Sequence, residues 1–145
     1  YRLLGWFGLA LAAMASADMA LGLFPPARAR AEWVFTSTMQ TFSGLPVLAV
    51  ALGAMTVAAA AEGGAVLPRL VGLLNALLVL LVAGMLVLFV PAAGEALQQG
   101  AAVAQLGIRK AIFRIGLFAV VFGALHLALA VKCFRAAGRP PQAAA

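Results

Sequence analysis

Apolar residues along this chain arrive in four long blocks, 3–23, 36–61, 70–90 and 111–131, with polar residues gathered between them. At about 1.5 Å of rise per residue, a helix of roughly 21 residues is about 32 Å long, enough to cross a hydrocarbon layer of about 30 Å. Inside hydrocarbon the backbone must satisfy its own hydrogen bonds, which leaves helices or a closed barrel. Barrel strands alternate polar and apolar over about ten residues, and these blocks do not alternate. The pattern predicts an all-α integral membrane protein. Its four transmembrane helices form one up-down-up-down bundle spanning 1–145.

The breaks between blocks carry their own signals. Pro25 and Pro26 close the first block, Glu62-Gly63-Gly64 the second and Pro91 the third. Pro46 lies inside the second block, removes one backbone donor and predicts a kink there. Between Pro91 and the fourth block, Leu97, Ala101, Ala104 and Ile108 recur at helical spacing among Glu95, Gln98, Gln99 and Gln105. That pattern predicts a short helix over 92–108 lying in the membrane interface. A polar tail follows over 132–145. The two halves also echo each other, with Arg2-Leu3-Leu4-Gly5 opening the first block and Arg69-Leu70-Val71-Gly72 the third. Leu23-Phe24-Pro25 and Leu88-Phe89-Val90-Pro91 close them, which suggests a duplicated helical hairpin.

Composition agrees with this reading. Hydrophobic residues make up 66% of the chain and charged residues only 10%, where a soluble domain carries about 25% charged residues. The net charge of +6 comes from basic residues placed singly or in twos at block ends. Lysine and arginine reach phosphate headgroups from such positions. No basic surface interleaved with aromatics is present, so the partner is the lipid bilayer and not nucleic acid. The triplet Ala15-Ser16-Ala17 resembles a signal-peptidase site, but the apolar run continues to Leu23, so the first block is expected to remain as a helix. The single cysteine, Cys133, excludes an internal disulfide and a CxxC motif. It reads as an apolar residue or a juxtamembrane palmitoylation site.

Chemistry is sparse. One histidine, one cysteine and four acids offer no HExxH, no phosphate loop and no Ser–His–acid set, which argues against an enzyme and against a metal site. Depth within the blocks suggests which polar residues could meet. Asp18, near the end of the first block, and Arg114, near the start of the fourth, are expected to share a depth and form an intramembrane ion pair. Gln40 and Thr41 lie on the same side. Toward the opposite side, Asn75 and His126 are expected to share a depth. They make either an interhelical hydrogen bond or a site where His126 serves as axial ligand to a tetrapyrrole such as haem or chlorophyll. Small residues recur at packing spacing in Gly8 with Ala12, Ala49 with Gly53 and Ala119 with Gly123.

These features point first to an accessory subunit that packs through its transmembrane helices against other subunits of a larger membrane complex. Two other readings remain open: a small oligomeric transporter or channel using Asp18, Gln40 and Arg114, and a pigment- or haem-binding protein using His126. The side holding both termini carries Arg2, Arg69, Lys132, Arg135 and Arg139; the other carries Arg28, Arg30, Arg109 and Lys110 once Arg114 is drawn into the bundle. By the positive-inside bias, both termini face the cytoplasm from a bacterial inner membrane. A reporter fused after Ala145 is therefore expected to be active in the cytoplasm; activity confined to the periplasm reverses the orientation.

Overall fold

A computed structural model describes residues 1–24, 31–61, 64–99 and 102–138. They form α1 (Arg2–Gly22), α2 (Ala31–Ala61), α3 (Val66–Gln99) and α4 (Ala102–Ala137). All four helices are long and apolar enough to cross a membrane. The breakers Pro25, Pro26, Glu62 and Gly63, the cations Arg28, Arg30 and Arg139, and Gly100 and Ala101 lie outside the described residues.

Two prolines expected to shape the helices do so differently. Pro91 was expected to end the third helix, yet α3 continues through it to Gln99. A proline removes one donor and crowds the carbonyl four residues back. Ala92 and Ala93 beyond it are buried against neighbouring helices, and that packing offsets the lost bond. The segment 92–108 is consequently not a separate interfacial helix. Residues 92–99 lengthen α3 and 102–108 open α4. Pro46 sits inside α2, whereas Pro68 falls in the first turn of α3, where its missing N–H has no intrahelical partner to lose.

Successive helices run antiparallel. Gly5 of α1 lies against Ala58 near the end of α2, and Met19 lies against Gly44 nearer its start. Asn75 of α3 meets His126 of α4. Among the described residues the backbone of α2 closely approaches α1, α3 and α4, and that of α3 approaches α4, while the backbone of α1 closely approaches α2 alone. The arrangement is a three-helix core with α1 laid along one side of α2. Phe42, Leu45, Val82, Phe89, Ile115 and Ala119 fill the main core. On the α3 side of α1 a groove of about 340 Å³ runs between Ala12 and Ser16, Leu48 and Leu52, and Leu74 and Leu78.

Hydrocarbon has no acceptors for the protons of stray hydroxyls, so these turn back onto their own helix. Thr38 donates to the Val34 carbonyl at 2.7 Å, Ser43 to Met39 at 2.8 Å and Thr56 to Leu52 at 2.7 Å. The Cys133 thiol donates to Thr56 Oγ1 at 3.7 Å and is buried, out of reach of an acyl donor or a labelling reagent.

The small residues expected at helix contacts divide into two groups. At Gly8 an added Cβ would stand 2.7 Å from the Ala51 carbonyl oxygen and 2.8 Å from Met55 Cγ. Ala119 is buried, Ala12 packs against the core, and Ala49 is half-buried. At Gly53 and Gly123 an added Cβ would meet nothing within 4 Å. Overpacking of a tight contact costs about 1–3 kcal/mol. Gly8→Val is thus expected to lower resistance to unfolding in mixed detergent micelles by about that much, and Gly53→Ala to leave it unchanged. Equal behaviour of the two variants would show that α1 is not seated through Gly8.

Candidate functional site

Three contacts between helices, taken together, place the polar residues in depth. Phe35 of α2 stacks near Phe89 of antiparallel α3, with ring centroids 5.4 Å apart. Gly44, nine residues on from Phe35, is therefore about level with Leu80, nine residues back from Phe89. Thr56 of α2 meets Cys133 of parallel α4, which puts Gly44 about level with Val121. Asn75 meets His126, which independently puts Leu80 level with Val121. Leu80 and Val121 are the midpoints of the apolar runs 70–90 and 111–131. Gly44 is thus level with the middle of those two runs, whereas the runs 3–23 and 36–61 centre about five residues nearer the side of the termini.

Asn75 and His126 lie about 7 Å from that middle, on the side of the termini, at 1.5 Å per residue. Both are 0% exposed. Asn75 Nδ2 donates to the Val71 carbonyl at 2.9 Å, and Asn75 Oδ1 stands 2.7 Å from His126 Nδ1. With its NH₂ engaged, the amide offers an oxygen that can only accept. His126 Nδ1 therefore carries the proton, and in the neutral ring Nε2 holds a lone pair. Nε2 is buried and has no hydrogen-bond partner among the described residues. Gly72, one turn before Asn75, seats Cys133 and Phe134 within 3.3 Å of where a Cβ would stand, and this close approach brings α3 and α4 together.

Asp18 and Arg114 are not brought together. Met19 packs on Gly44, so Asp18 is close to the middle level, while Arg114 is seven residues from Val121, about 10 Å nearer the other membrane face. Among the described residues the backbones of the helices that carry them make no close approach. Arg114 is exposed, with its guanidinium carbon 5.2 Å from the centroid of the Phe118 ring on its own helix. No ion pair joins Asp18 to Arg114 among the described residues. The expectation of a shared depth counted both residues from block ends. In the fold, α1 ends level with Gln40 and α4 begins well before its apolar run.

Gln40 is exposed and its side chain lies against Gly22, where α1 ends. Thr41 is buried, and its hydroxyl oxygen has no partner among the described residues. No protein-family model matches this chain, and comparison with curated proteins and with solved structures finds no match either. The site must be read from its own geometry.

Axial ligation to a tetrapyrrole needs an open approach, as wide as the macrocycle, to the ligating nitrogen. His126 Nε2 is enclosed by the packed helices, so the ring as placed joins helices and does not face a ligand. Among the described residues no three His, Cys, Asp or Glu side chains gather as a metal site. Sequence reasoning passed over one feature, the exposed polar row Glu32, Thr36, Gln40 and Ser43 on α2. Its spacing of four, four and three residues was the signal, hidden within a block read for its apolar content.

A hydrogen bond between helices in lipid contributes on the order of 1 kcal/mol, whereas orphaning a buried partner costs about 1–3 kcal/mol. Asn75→Leu is expected to destabilise the fold by about 1–3 kcal/mol. The double change Asn75→Leu with His126→Leu should cost less than the sum of the two single changes. Strict additivity in a double-mutant cycle, read from unfolding in mixed micelles, would show that the two residues are not coupled.

Proposed function

We propose that this protein is an accessory subunit, without catalysis of its own, that packs through its transmembrane helices against other subunits of a larger membrane complex. The position of α1 carries this reading. Among the described residues the backbone of α1 closely approaches only α2, and Leu3, Trp6, Phe7, Met14 and Leu21 are exposed along it. A helix placed in this way adds little to the shared core of the chain and presents most of its circumference outward. In lipid, association depends on close packing and interhelical hydrogen bonds. Gly53 and Gly123, with open space where a side chain would stand, offer further points of close approach.

The transporter reading required Asp18, Gln40 and Arg114 to line one path. Asp18 and Gln40 border the α1–α2 contact, while Arg114 lies on a helix that the backbone of α1 does not closely approach among the described residues. The middle of the core between these polar groups and the Asn75–His126 pair is filled by Leu45, Leu48, Val82 and Ala119. The arrangement favours a packing role over a polar route through one copy.

Extraction in mild detergent or in lipid nanodiscs is expected to yield a particle larger than the monomer. Mass spectrometry should identify a different membrane protein in it, crosslinked to this chain through transmembrane positions. A monomer alone, with no different protein captured by crosslinking in native membranes, would falsify this reading.

A further inference from the structure

We infer that Asp18 is a docking point for a lysine or arginine on a transmembrane helix of a partner protein. This inference rests on the accessory-subunit reading and names the chemistry of its interface. Asp18 is exposed on α1 about level with Gly44, inside the apolar layer that the four helices span. It makes no hydrogen bond or ion pair among the described residues. An ionisable side chain at that depth is costly unless paired, and such residues mark sites of interaction or transport.

The surface around Asp18 specifies the partner. At about 100° per residue, Asp18 lies roughly 160° round α1 from Ser16, which lines the groove beside α3. It is therefore on the outer flank of α1. By the same measure Ser43 is about 180° round α2 from Leu52, another lining residue of that groove. Gly22 rests against Gln40, and so joins the two outer flanks into one surface. Asp18, Gln40, Ser43 and Thr36 are all exposed on it.

These groups present mainly acceptors. The Ser43 proton is committed to the Met39 carbonyl at 2.8 Å and the Thr36 proton to the Glu32 carbonyl at 2.9 Å. Each hydroxyl oxygen keeps lone pairs directed elsewhere. The Asp18 carboxylate only accepts, and the Gln40 amide supplies a further carbonyl oxygen. An ammonium or guanidinium has donors and no acceptor, and it carries the charge that Asp18 requires.

The test uses the full chain in native membranes. A hydrophobic carbodiimide, which reacts with protonated carboxyl groups, should leave Asp18 unmodified in those membranes and modify it in purified monomer. Asp18→Leu should reduce recovery of the partner at least about tenfold, and Asp18→Glu should retain it. The purified Asp18→Leu monomer should unfold no more easily than wild type, because Asp18 holds nothing within the chain. The partner identified by mass spectrometry should carry a lysine or arginine within a transmembrane segment. Changing that residue to aspartate should abolish recovery by the wild-type chain and restore it with Asp18→Arg.

Equal carbodiimide labelling in membranes and monomer overturns the inference. So does undiminished recovery of a partner by Asp18→Leu, which leaves the accessory-subunit reading standing. Exposure of Asp18 to the reagent in membranes on changing Arg28 and Arg30 to glutamine assigns the counter-charge to this chain and also overturns it. A crosslink from the Asp18 flank only to a second copy overturns it in favour of self-association. Absence of any partner for the wild-type chain removes both readings together.

Discussion

Lipid supplies no hydrophobic force between helices, because the hydrocarbon around them is as apolar as their own side chains. Association in this protein therefore depends on surfaces that fit at close range, and α2 provides the surface that every other helix uses. Its contact with α1 is made where Gly8 approaches the Ala51 backbone and Met55. Its contact with α3 and α4 is made by larger groups, among them Phe42, Leu45 and Leu52, buried with Phe89 and Ile115. The difference between these contacts explains why α1 is peripheral. A glycine seam brings two backbones together, and from α1 only Met19 is buried in the core cluster that α2, α3 and α4 share.

Polar groups are managed by the same constraint. The hydroxyls of Thr38, Ser43 and Thr56 on α2 donate to carbonyls one turn back, so their protons are satisfied in an apolar layer by their own helix. Asn75 cannot satisfy itself so completely. Its NH₂ turns back to Val71, and its oxygen needs a donor, which His126 supplies across the α3–α4 contact. The bond specifies the register of that hairpin, because a shift of one residue would point both side chains elsewhere around their helices. Asp18 has neither solution among the described residues. Too short to reach a distant neighbour and placed on an outer flank, it directs attention to what lies outside the chain.

Much of this organisation is written in one dimension. Four apolar blocks of membrane-crossing length, without strand alternation, determine four helices, because a backbone in hydrocarbon has few other ways to satisfy its hydrogen bonds. Antiparallel succession follows from short connections between spans. The meeting of Asn75 with His126 was also legible, since both lie well inside neighbouring blocks at matching distances from the ends. A single charged or polar side chain stands out against leucine and valine.

Lateral neighbours and helix ends were decided only in three dimensions. Depth along a helix is a count of residues, but direction around it depends on which partner each face packs against, and the sequence contains no label for that partner. Asp18 and Arg114 show the consequence: among the described residues the backbone of α1 closely approaches α2 alone, and α4 carries Arg114 to a different level. Pro91 shows another, since the burial of Ala92 and Ala93 carries α3 past a residue that by itself disfavours a helix. The sequence by itself determined that the chain is four apolar helices with few polar exceptions, because the solvent dictates it. Only the tertiary structure decided which exceptions meet and which face outward, because that depends on packing between helices remote in sequence.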